Sequence, residues 1–156
     1  MQYTSKEIIL SMLTFALQQT DFVIESTKEV KEYRDFLTSM EATVLFNSTC
    51  MCLQTIGETI RKVDDKTEGK MFAKYPQTPW KKVIGLRNII SHDYLSIDHE
   101  VIFMTVKNRM EPLRNALEEI INVLNKESVY FLEMSNILPF ILSAISAIFE
   151  TPVSRK

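Results

Sequence analysis

Only 3 glycines and 5 prolines interrupt 156 residues, and no segment shows sustained alternation of apolar and polar side chains. Glycine and proline are the residues that most readily break helices, so a chain this poor in both is confined to long helices. With 46% hydrophobic and 24% charged residues, the length and composition suit one globular domain, with no repeat and no low-complexity run. The fold class that follows is all-α.

The helices can be placed from the three-and-four spacing of apolar residues. A first stripe runs Ile8, Met12, Phe15, Ala16, Phe22 and Val23 between Ser5 and Ser26. After a short amphipathic piece, VKEYRDFLTS, Thr38 or Ser39 is placed to cap a long second helix with the stripe Met40, Val44, Phe46, Met51, Ile56, Ile60 and Val63. The region of Gly69 and KYPQTPW is a loop, because Pro76 and Pro79 forbid a continuous helix. A third helix starts at Pro79 and carries Trp80, Val83, Leu86, Ile89 and Ile90. Asp98 caps a fourth, from Val101 to Leu124, which Pro112 is expected to kink or interrupt. Short connections between amphipathic helices imply an antiparallel four-helix bundle.

The last thirty residues differ. SVYFLEMSNILPFILSAISAIFETP is densely apolar, but Glu133, Asn136 and Pro139 interrupt it, and Ile137–Phe149, the part free of charge and amide, is 13 residues, where a membrane span wants about 20. The expectation is an additional C-terminal helix covered by the bundle or by a subunit interface, with no membrane contact. The N-terminal stretch carries charge and glutamine through its apolar positions, unlike a signal peptide, so a cytoplasmic location is expected. Cys50 and Cys52 are about 200° apart on a helix, too divergent to pair or to chelate one metal, and read as packed, reduced thiols.

A net charge of -2 argues against nonspecific coating of nucleic acid. From Arg61 to Arg87, however, eight basic residues stand against three acidic ones, and this basic approach leads into RNIISHDY, residues 87–94. On a continuous helix Arg87 and His92 are about 140° apart and about 7.5 Å apart along the axis. They meet on one phosphate only if the helix end distorts or a second subunit supplies another copy of the pair. A histidine that titrates near neutrality can move the proton of a 2′-hydroxyl or of a leaving oxygen. An arginine can hold the nonbridging phosphate oxygens as charge builds on them. Such a scheme needs no cofactor and no metal, and there is no glycine-rich phosphate loop. The alternative is structural: an arginine and a histidine in a last helical turn also serve to cap carbonyls and oppose the helix dipole.

The motif R87-N-I-I-S-H-D-Y94 resembles the R-x-x-x-x-H-x-Y signature of HepT-like proteins of the HEPN superfamily. QTIGET (54–59), YPQTPWKKVIGLRN (75–88) and IDHEVIFMTVKNRMEPLRNAL resemble further family segments in the same order. The resemblance divides the chain into a HepT-like helical domain, 1–124, and a C-terminal apolar helical extension, 125–156, with no family counterpart. It implies a homodimeric, metal-independent endoribonuclease toxin of a type VII toxin–antitoxin pair, acting on RNA and neutralised by an MntA-like nucleotidyltransferase antitoxin. Arg87 and His92 fall on its catalytic pair, Asn88 on a supporting polar position, and Tyr94 on the tyrosine that the antitoxin AMPylates. Glu58, in the IGE match, is a further candidate beside the site, with helix pairing as its plain alternative. A different class of function fits the same residues: a noncatalytic helical subunit that docks a nucleotidyltransferase and presents Tyr94 to it.

Overall fold

A computed structural model of the chain describes residues 5–91 and 97–150, with the backbone alone described at 89, 91, 131, 132 and 144–150. Among the described residues there are four α-helices and no strand: α1 (Ser5–Ser26), α2 (Met40–Lys66), α3 (Trp80–Ser91) and α4 (His99–Glu150). Short 3₁₀ turns occupy Tyr33–Leu37 and Phe72–Lys74. The described residues fall into two compact units that divide between Ile121 and Asn122.

In the first unit α2 packs against both α1 and α3. Its buried residues therefore occupy more than one stripe: Leu53, Ile56, Ile60 and Val63 on one side, with Cys50 and Gly57 beside them. Met40, Val44 and Met51, which the spacing placed on the buried face, are exposed. The stripe of α1 is also rotated from expectation. Leu13, Ala16, Thr20 and Val23 are buried, while Phe15 and Phe22 face outward. Threonine makes the difference, because a threonine hydroxyl can satisfy itself on its own helix and then behave as an apolar side chain. Thr20 Oγ1 donates to the Ala16 carbonyl at 2.8 Å, Thr49 Oγ1 to Leu45 at 2.8 Å and Thr59 Oγ1 to Thr55 at 2.8 Å.

The helix starts follow the caps. Ser39 Oγ accepts from the Ala42 N–H at 3.1 Å, and Asp98 Oδ1 accepts from Glu100 and Val101 N–H groups at 2.8 and 3.3 Å. Helix α3 begins at Trp80, one residue later than expected, with its first turn closed by the Val83 N–H on the Pro79 carbonyl at 3.2 Å. From residue 99 to 121, α4 buries Ile102, Val106, Met110, Leu113, Leu117 and Ile120, a single three-and-four stripe. Two polar ties fix this part of α4 to α1 and to the turn that follows it: Arg114 Nε bonds Asp21 Oδ1 at 2.6 Å and Lys107 Nζ donates to the Thr27 carbonyl at 2.9 Å. As α4 advances from 107 to 114 its partner recedes from 27 to 21, so the two helices run antiparallel. Helix α1 is long and apolar enough, by length and composition, to cross a membrane; here it packs on α2 and is bonded to α4.

Of the two outcomes expected at Pro112, a kink or an interruption, the interruption does not occur, since α4 runs through it. Its missing N–H and ring clash cost about 3 kcal/mol in a helix interior, and the burial of Met110 and Leu113 on either side offsets a loss of that size. Nor is the C-terminal extension a separate helix, since α4 continues to Glu150. In the second unit, the described apolar side chains Val129, Tyr130, Met134, Ile137, Leu138, Phe140, Ile141 and Leu142 are exposed.

Candidate active site

Helix α3 is held at its start. The Trp80 ring stacks on Phe72 with centroids 4.2 Å apart, and its Nε1 donates to the Tyr75 carbonyl at 2.9 Å. Val83, Leu86 and Ile90 then turn inward. Gly57 of α2 sits against this helix. A Cβ added at Gly57 would lie 3.0 Å from the Val83 carbonyl oxygen and 3.1 Å from the Arg87 nitrogen, both main-chain atoms that cannot swing aside. The glycine thus permits a close helix crossing, and the crossing sets the next residue of α2 beside the motif arginine.

That residue is Glu58. Its Oε2 lies 3.1 Å from Arg87 Nε. The same carboxylate takes Arg61 Nη2 at 3.2 Å and faces Lys62 Nζ at 3.6 Å, while Arg61 reaches on to Asp65 at 3.0 Å. Three cations and two carboxylates therefore meet where α2 crosses α3, leaving positive charge in excess. The hydrogen bond from Arg61 is the largest influence on Glu58 and holds its carboxyl below the ordinary value of 4.5; the charges of Arg61, Arg87 and Lys62 act in the same direction, against partial desolvation. Arg61 is raised in turn, chiefly by its bond to Glu58. A carboxylate held ionised in this way is a poor proton acceptor and a good anchor. The ion pair at Nε keeps the Arg87 guanidinium beside α2, and a guanidinium held in place is what phosphate binding requires.

Of the residues singled out in the sequence, the structure brings Glu58 and Arg87 together and leaves Asn88 exposed on α3. His92 and Tyr94 lie outside the described residues, as does the helix end on which their convergence with Arg87 depends. Arg61 and Lys62 were counted in the sequence only as members of a basic stretch. Their spacing of three and four from Glu58 is the signal that places all three on one helix face. Cys50 and Cys52 are buried and unbonded to each other, and burial pushes the Cys50 thiol up to about 11 and Cys52 upward, so both stay protonated at neutral pH. Among the described residues no group of three or more His, Cys, Asp or Glu side chains is placed to hold a metal ion.

Compared with known proteins, residues 21–120 match the family model described as Ribonuclease HepT-like. A Methanocaldococcus jannaschii protein named as a candidate RNase is 29% identical over 114 residues, 73% of this chain and 97% of the relative. A second protein of that organism, named likewise, is 28% identical over 74% of this chain and 89% of its own length. A third, from Caldanaerobacter subterraneus subsp. tengcongensis and again named as a candidate RNase, is 26% identical over 70% of this chain and 90% of its own length. No solved structure matches the chain significantly.

Proposed function

We propose, from the premise that this chain belongs to the HepT-like ribonuclease family of the HEPN superfamily, that it is the metal-independent endoribonuclease toxin of a type VII toxin–antitoxin pair. The observation that carries the reading is the Glu58–Arg87 ion pair beside Gly57, which lies within the family match and holds a motif arginine inside a cluster of excess positive charge.

In this reading the Arg87 guanidinium holds the nonbridging oxygens of an RNA phosphate. His92 takes the proton from the 2′-hydroxyl as the 2′-oxygen bonds to phosphorus; the 5′-oxygen leaves, and a protonated imidazole gives it a proton. A homodimer that sets two motifs face to face supplies both imidazoles, one as base and one as acid. Asn88 supports the substrate or the imidazole. Glu58 acts through Arg87 as a positioning residue. An MntA-like nucleotidyltransferase that transfers AMP from ATP to Tyr94 would switch the enzyme off by placing bulk and negative charge where the RNA phosphate must enter.

The test is cleavage of RNA in EDTA by the wild type, Arg87→Ala and His92→Ala. Each substitution is expected to lower the rate by about 100-fold or more. Equal cleavage by all three contradicts the assignment. A wild type that leaves RNA intact, yet takes AMP on Tyr94 from its partner, identifies the noncatalytic docking subunit instead.

A further inference from the structure

Beyond residue 120 the family match stops, and the chain's use of apolar side chains changes with it. Every side chain from Glu133 to Ser143 is exposed, with Ile137 at 49% and Phe140 at 78%. At about 100° per residue, Phe140, Ile137, Ile141, Met134, Leu138 and Leu142 fan over an arc of about 200°, with Glu133 at its N-terminal border. A helix seated on a protein surface presents a stripe of about 100°, which is what a single partner helix can cover. An arc twice that width needs apolar surroundings on most sides.

The remaining face is polar without being charged: it carries Ser128, Ser135, Asn136 and Ser143. The Ser128 hydroxyl donates back to the Leu124 carbonyl at 3.0 Å, the self-satisfied state that lets a serine sit beside apolar material. No Asp, Glu, Lys or Arg occurs in the 16 residues between Glu133 and Glu150. We propose that this C-terminal part of α4 is a lipid-binding helix that lies in the plane of a bilayer, its wide apolar arc sunk among the acyl chains and its serine and asparagine face toward the headgroups.

The length decides between lying in the bilayer and spanning it. At 1.5 Å per residue, 16 residues reach about 24 Å, short of the roughly 30 Å hydrocarbon core. In the plane of the interface that length carries no penalty, and both charged borders stay in water. Tyr130 at one border is a residue type favoured at headgroup depth, and Arg155 and Lys156, which follow the run in sequence, complement anionic lipid. Because the polar face lacks charge, apolar burial supplies most of the binding, so attachment is weakly dependent on salt and favours strongly curved vesicles. The expectation of no membrane contact rested on span length, and an in-plane helix does not meet that criterion because it does not cross. The proposal is independent of the nuclease reading, since it concerns residues outside the family match.

Flotation of the full chain with small vesicles of phosphatidylethanolamine and phosphatidylglycerol tests it. The wild type is expected to float, and to keep floating in about 0.5 M salt. Phe140→Asp and Ile137→Asp, which place a carboxylate in the apolar arc, are expected to lower vesicle affinity by about 100-fold. Both sites are exposed, so helix content and melting temperature should not change, and a circular dichroism melt checks this. A wild type that stays with the soluble fraction overturns the proposal. If it instead forms a concentration-dependent oligomer that Phe140→Asp disperses, the cover is other copies of the chain. Flotation that Phe140→Asp and Ile137→Asp leave intact also overturns it.

Discussion

The two parts of α4 are one continuous helix and use apolar residues in opposite ways. From 99 to 121 the apolar positions recur every three or four residues and are buried, with Arg114 and Lys107 reaching sideways to α1. From 122 to 150 the apolar positions spread around the helix, and from Val129 on those described are exposed. Periodicity, more than apolar content, thus decides which part joins a protein core. A single stripe can be covered by a neighbouring helix, whereas a broad arc cannot.

The comparison breaks if the two parts answer alike to truncation. Leu117→Ala removes a fully buried side chain and is expected to cost about 2–5 kcal/mol in chemical denaturation. Phe140→Ala in the same assay should stay within about 0.5 kcal/mol, although it removes more apolar surface. Similar losses at both positions would show the C-terminal part packed in the solution fold.

A pair of glycines sharpens the same contrast between covered and open positions. Gly57→Ala drives a Cβ toward the backbone of Val83 and Arg87 and is expected to cost about 1–3 kcal/mol while displacing Arg87. Gly85→Ala meets nothing within 4 Å and should stabilise α3 by about 0.5–1 kcal/mol. Thermal melts of the two variants moving in the same direction would contradict the close crossing.

Much of this was legible in the sequence. The all-α class, the caps at Ser39 and Asp98 and the packed thiols each follow from local chemistry. The buried faces of α1 and α2 were less legible, because Thr20, Thr49 and Thr59 are core residues whose hydroxyls are satisfied inside their own helices. The continuity of α4 through Pro112 depends on burial on both sides of the proline, which no local rule contains. At the site, the meeting of Glu58 with Arg87 is a tertiary contact made by Gly57. It could be anticipated only from the resemblance that set IGE and the arginine motif in one family pattern.

A smaller effect is expected from pH. The Glu58 carboxyl is depressed in the folded chain below its ordinary value of 4.5, so its contribution is fully present above that value and is lost as pH falls through the folded value. Glu58→Gln should therefore be less stable than wild type at pH 7, with the gap closing below about pH 4. A gap that persists into acid would mean the carboxylate charge is not what ties α2 to α3. The smallest expected effect is no reaction: Cys50, buried with its thiol near 11, should resist alkylation at about pH 8 until the chain unfolds.

The central claim, that Glu58 works through Arg87 rather than beside it, is tested most directly by a double-substitution cycle on RNA cleavage. Arg87→Ala alone should lower kcat/KM by about 100-fold to 1,000-fold and Glu58→Ala alone by about tenfold. Adding Glu58→Ala to Arg87→Ala should lower it no further, since the group it positions is already gone. If the two losses multiply in the double variant, the contact between Glu58 and Arg87 does not serve the reaction.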